Sequence, residues 1–124
     1  MSEDQTRLVT PRYLRVSYMG DPVAEKLLRV IRRAVKSVEE SKSRGLILDL
    51  TRTKRALSWA DRIKAGSEIA ALQAKASRPI PVAVIVPGPD LDPRKLGTKA
   101  AARRGGRLNA FRSQEEARAW LRSQ

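Results

Sequence analysis

The sequence predicts an α/β fold: a single domain with a mixed, mostly parallel sheet of four to five strands and about four helices packed on it. Three observations carry that prediction. Residues 46–50 (LILDL) and 82–86 (VAVIV) are apolar with little interruption, as parallel strands covered on both faces are. Segments with apolar residues at helical spacing lie between and around them. The two kinds of segment alternate, and Gly, Pro or a capping residue marks the boundaries. A chain of 124 residues suits one domain with its own core.

In chain order, residues 1–6 are expected to be a disordered tail, and the domain to occupy 7–124. Residues 7–19 read as one or two strands. Leu14, Val16 and Tyr18 alternate with Arg15 and Ser17, so this strand has one apolar and one wet face. Pro11 confines any pairing before it to an edge. Asp21 and Pro22 form a cap-and-first-turn signal for a helix that runs to about Lys42. Leu27, Ile31, Ala34, Val35 and Val38 are its buried stripe, and Lys26, Arg29, Arg33 and Lys36 its solvated face.

Gly45 opens the central strand, whose one polar member is Asp49 near its C-terminal end. Residues 51–57 read as a loop. Ser58 and Asp61 resemble a capping box for a helix that directs Trp59, Ile63, Gly66, Ile69 and Ala70 to the core and ends near Ala76. Gly66, costly in a helix interior, marks close packing against the sheet. After the second apolar strand, Asp92-Pro93 opens a third helix that extends to about Arg104 and is closed by Gly105-Gly106. Residues 107–111 form the last strand. Ser113-Gln114-Glu115-Glu116 caps a final helix with Ala117, Trp120 and Leu121 on its inner side.

Composition narrows the chemistry. There is no cysteine and no histidine, which excludes disulfides, thiol nucleophiles and the commonest general base and metal ligand. No metal site, cofactor or catalytic constellation is predicted, and the chain reads as non-enzymatic. The opening MSEDQTR lacks the features of a signal peptide, and no apolar run approaches the ~18 residues of a membrane span, so a cytoplasmic protein is expected. The net charge of +13, from 26 basic and 13 acidic side chains, points towards an anionic partner.

Two stretches are candidate sites. The first is the anion-binding or phospho-switch loop after the central strand: Asp49, Thr51, Arg52, Thr53, Lys54, Arg55 and Ser58. Two threonines, three cations and a helix start stand together there, although a glycine-rich phosphate cradle is lacking. Asp49 and Asp90 would face a common pocket beyond Val86 if this end held a small anionic ligand. The second is the basic surface of residues 93–112, with Arg94, Lys95, Lys99, Arg103, Arg104, Arg107 and Arg112 and no acidic residue. It suits nucleic acid, anionic lipid or an acidic protein.

GLILDLTRT, PVAVIVPG and the tail LNAFRSQEEARAWLRS resemble the central strand, the following strand and the C-terminal strand-helix of the STAS superfamily, in its SpoIIAA-like, anti-sigma-factor-antagonist-like branch. The resemblance covers roughly residues 12–122. It implies a regulatory module that binds a protein partner and can dimerise. It also places Ser58 where the family carries a phosphorylated serine. The family's Asp-Ser-Ser-Gly pattern is replaced here by Leu57-Ser58-Trp59-Ala60.

Overall fold

The computed structural model of the protein describes residues 4–10, 13–87 and 94–124, with the backbone alone for 4–10. The elements are β1 (Asp4–Thr10), β2 (Tyr13–Gly20), α1 (Ala24–Ser41), β3 (Gly45–Thr53), α2 (Trp59–Lys75), β4 (Val82–Ile85), α3 (Leu96–Ala102), β5 (Leu108–Phe111) and α4 (Gln114–Arg122). The strands form one sheet in the order β1-β2-β3-β4-β5. β1 lies antiparallel on β2, and β2 to β5 are parallel. The expected fold class is thus observed. β1 starts at Asp4, earlier than the domain boundary expected at residue 7.

Each parallel strand follows its neighbour, so every crossover steps the same way. Right-handed crossovers then place α1, α2 and α3 on one face of the sheet. The main core lies under them: Leu14, Val16 and Tyr18 of β2 and Leu46, Leu48 and Leu50 of β3 meet Leu27, Ile31, Val35 and Val38 of α1 and Ile69 and Ala70 of α2. Side chains alternate along a strand, so Tyr13, Ile47, Ala83 and Ile85 project to the other face and pack on Ala117 and Leu121 of α4. Residues 46–50 are buried throughout, Asp49 included, as a mostly apolar run predicts.

Several local expectations are corrected. Asp21 does not cap α1: the N-cap is Val23, without a side-chain bond, and the Asp21 carbonyl accepts from Val23 N (2.8 Å) and Tyr18 Oη (2.7 Å). Pro22, buried, precedes the helix. α3 is a short helix beginning at Leu96, and the Asp92-Pro93 signal lies outside the described residues. Ser113 does cap α4, its Oγ accepting from Glu116 N at 3.2 Å.

Gly66 is a close-approach residue, but its neighbour is α3 and not the sheet. A methyl at Gly66 would run into the carbonyl of Gly97. Two polar side chains hold the chain ends of the layers. The Gln73 amide donates to the carbonyls of Ile80 (2.6 Å) and Arg107 (2.9 Å) and accepts from Arg107 N (3.0 Å), which ties α2 to the starts of β4 and β5. Arg78 donates to the carbonyls of Ser43 (2.5 Å) and Val38 (2.7 Å) and so satisfies the negative end of α1.

Gly66→Ala separates backbone propensity from packing. In an exposed helix interior this change stabilises by roughly 1 kcal/mol. Here the clash with Gly97 reverses the sign, and a loss of about 1–3 kcal/mol is expected in urea unfolding.

Candidate functional site

The first predicted site is built where β3 hands over to α2. β3 is longer than residues 46–50, and Thr51, Arg52 and Thr53 belong to its end and not to a loop. Met19 and Gly20 of β2 pair with Arg52 and Thr53, and Lys54 N donates to the Gly20 carbonyl at 2.8 Å. Gly20 has φ 101°, which an L side chain rarely adopts. The register slips between the Ser17–Asp49 and Met19–Arg52 pairs, a bulge that breaks the strand alternation, and the seven predicted residues divide around it.

Asp49 and Thr51 point to the α4 side. Asp49 is 5% exposed, pairs with the Arg15 guanidinium, and accepts from Thr51 N (2.8 Å) and Thr51 Oγ1 (2.7 Å). Its carboxylate is satisfied by three donors, which makes it a structural knot rather than a reactive group. Thr53 points the other way and donates to the Leu50 carbonyl at 2.9 Å. Lys54, Arg55 and Ser58 are exposed on the turn. Ser58 is the N-cap of α2, its Oγ accepting from Asp61 N at 3.1 Å. Arg52 extends its guanidinium to Met19 Sδ.

A cavity of about 580 Å³ lies at this end of the sheet, on the α2–α3 side. It is lined by Leu50, Thr53, Val86 and Pro87 but not by Asp49 or Thr51, because those face away. Among the described residues Asp49 and Thr51 thus do not share this cavity with Val86 and Pro87, and Asp90 lies outside the described residues. Among the described residues no cluster of three potential ligands could hold a metal ion, and no helix is long and apolar enough to cross a membrane.

The first turns of α2 carry a feature that the sequence analysis assigned to the core. Trp59 is 58% exposed and Ile63 43%. They share a helix face with Gly66 and Ala70 at i, i+4, i+7 and i+11, so the periodicity was sound. The packed part of that face begins only at Gly66, where α3 meets it, and the stripe overruns the core. The Arg94 guanidinium lies over the Trp59 ring, 4.4 Å from its centroid. This cation–π contact, worth roughly 0.5–1 kcal/mol at an exposed site, joins α2 to the start of the basic segment. Trp120, the other expected core tryptophan, is half-buried against Phe111, with ring centroids 5.7 Å apart.

The residues of the second predicted site lie at the surface. Arg94, Lys95, Lys99, Arg103, Arg104, Arg107 and Arg112 are all exposed, along α3 and the segments flanking it.

Comparison with known proteins agrees with this architecture. No protein-family model and no curated protein matches the chain. Among solved structures it is similar to the crystal structure of an anti-sigma factor antagonist from Mycobacterium paratuberculosis, with a TM-score of 0.60 and 17% identity over 96% of this chain and 94% of that one. The fold is SpoIIAA-like.

The Asp49 knot makes an asymmetric prediction. Arg15→Met strands a nearly buried carboxylate, whereas Asp49→Asn leaves a guanidinium that can reach water. Arg15→Met should therefore cost more, about 2–3 kcal/mol, below the usual range for a buried pair because Arg15 is partly exposed. Equal losses in chemical denaturation would refute this account.

Proposed function

We propose that the protein is a non-enzymatic, SpoIIAA-like regulatory module that docks a protein partner through the first turns of α2. The observation that carries this reading is the exposed Trp59–Ile63 pair, set among Lys54, Arg55 and Arg94. Exposed tryptophan beside arginine is the residue chemistry of interface hot spots. An apolar pair inside a cationic rim suits a partner with an apolar groove edged by carboxylates. A net charge of +13 favours such an acidic partner over a second copy of the chain, whose like charge would repel it. The likeness to an anti-sigma factor antagonist supports an anti-sigma factor as the partner class.

Ser58 is the proposed switch position. It is exposed and caps the helix whose next residue is Trp59, so a phosphate there would put negative charge beside the contact. Binding to the host's anti-sigma factors, measured by calorimetry with the purified chain, tests both ideas. Trp59→Ala should weaken the complex by at least about tenfold, as loss of a hot spot does. Ser58→Asp should weaken it less, about threefold to tenfold, through like charge against an acidic partner. Unchanged affinity in Trp59→Ala, with circular dichroism intact, overturns the docking surface; unchanged affinity in Ser58→Asp alone overturns only the switch.

A second reading is supported by the exposure of all seven cations of the basic segment: electrostatic binding of nucleic acid or anionic lipid. It predicts binding of duplex DNA, RNA or anionic vesicles at low salt, with log affinity falling linearly as log salt rises. Absence of binding at low ionic strength removes it.

A further inference from the structure

We infer that the cavity between the sheet and helices α2 and α3 binds a single-chain amphiphilic monoanion, of which a free alkyl carboxylate is the simplest case. The docking reading leaves this cavity unused, and the inference does not depend on it.

Protein interiors rarely keep apolar voids much larger than a water molecule. At about 580 Å³ this space falls in the range of small-molecule sites, roughly 300–1,000 Å³. Its inner wall is aliphatic: Ile31 of α1, Leu48 of β3, Ile69 of α2 and Val84 of β4 line it. Those walls are regular elements, and the backbone contact of Gly66 with Gly97 fixes α3 against α2. The site is therefore preformed.

Among the described residues the charged side chains of the lining are all cationic. Arg62, Lys95 and Arg112 line the cavity, together with the hydroxyls of Thr53 and Thr98. No Asp or Glu lines it among the described residues. Lys95 and Arg112 are exposed, which places them at the mouth, and Arg62 is half-buried, its Nε donating to the Leu57 carbonyl. An aliphatic interior with a cationic mouth complements an apolar chain ending in a negative group. A neutral chain forgoes the charge-assisted hydrogen bonds at the mouth, and a cationic one is repelled. Phe111 is the one aromatic residue lining it among the described residues, and its ring packs on Trp120 in the cluster on the α4 side.

The test is titration of the full chain with hexanoate, octanoate, decanoate and dodecanoate, each below its micelle concentration, by calorimetry and amide chemical shifts. Affinity should rise by up to about fourfold per added methylene and level off when the cavity is full. The alcohol and the alkylammonium ion of equal length should bind about tenfold more weakly or worse. Ala110→Phe and Ala65→Phe, which fill the cavity and leave the surface charge intact, should abolish binding. The exposed double variant Lys95→Glu/Arg112→Glu should weaken it about tenfold without disturbing the fold. No binding along the series overturns the inference. So does equal binding of alkylammonium, equal binding by a folded cavity-filled variant, or binding to phosphatidylglycerol vesicles without binding of free chains. If the filled variants fail to fold, the length and charge series on the unaltered chain still decides.

Discussion

The direction of the crossovers is the constraint from which the rest of this molecule follows. From β2 to β5 each strand is laid beside the last, always on the same side. Right-handed connections repeated in one direction must put every crossover helix on one face. That face receives three helices and a deep aliphatic core. Among the described elements, the one helix on the opposite face is the nine-residue α4 that follows β5. One short helix packs mainly on β4 and leaves the β2 side of this face for the chain to cover otherwise.

The polar residues of β2 and β3 answer that deficit. Arg15, Ser17, Asp49 and Thr51 all project to the under-covered face, and Arg15 reaches across from β2 to Asp49 on β3. Desolvating the carboxylate is costly, and the Arg15 pair with two bonds from Thr51 offsets it. A similar economy operates at the ends of the layers. Gln73 and Arg78 satisfy backbone groups of other elements that crossovers of this length leave without ladder partners.

Which parts were legible in the sequence follows from the range of each interaction. The apolar side of Leu14–Tyr18, the apolar runs of β3 and β4, and the Ser113 cap are local, and all appear where they were expected; the wet face expected at Arg15 and Ser17 does not, because Ser17 is buried and Arg15 half-buried. The Trp59 face was read with the right period and the wrong surroundings. Periodicity identifies which residues share a face but not where the neighbouring layer stops. Gly66 gave a true signal of close approach, yet its partner Gly97 lies in another helix, so the sheet was assumed. Thr51 to Thr53 looked like loop because hydroxyls and cations are common in loops. They extend β3 because Met19 and Gly20 of β2 provide the ladder, a pairing invisible along the chain. The roles of Gln73 and Arg78 had no local signature, since each bonds to backbone at least seven residues away.

The proposed docking face and the cavity are not independent features of the molecule. Both involve the first half of α2: Trp59 and Ile63 look outward, while Arg62 and Ala65, with Leu57 just before the helix, line the cavity. The contact of Gly66 with Gly97 lies between them and sets how far α2 stands from α3. A molecule in the cavity and a protein on the outer face would thus bear on opposite sides of the same two helical turns. Thermodynamic linkage fixes the form of any coupling between them: the factor by which the ligand changes partner affinity equals the factor by which the partner changes ligand affinity. A rigid α2 would hold that factor at one. The ring of Trp59 under Arg94 and the wall residue Arg62 are separated by a single turn of helix, so displacement of α2 by a long chain could not leave the outer contact where it was. The size of the coupling therefore measures how far α2 yields, and the glycine pair that lets α3 approach so closely is the element that limits it.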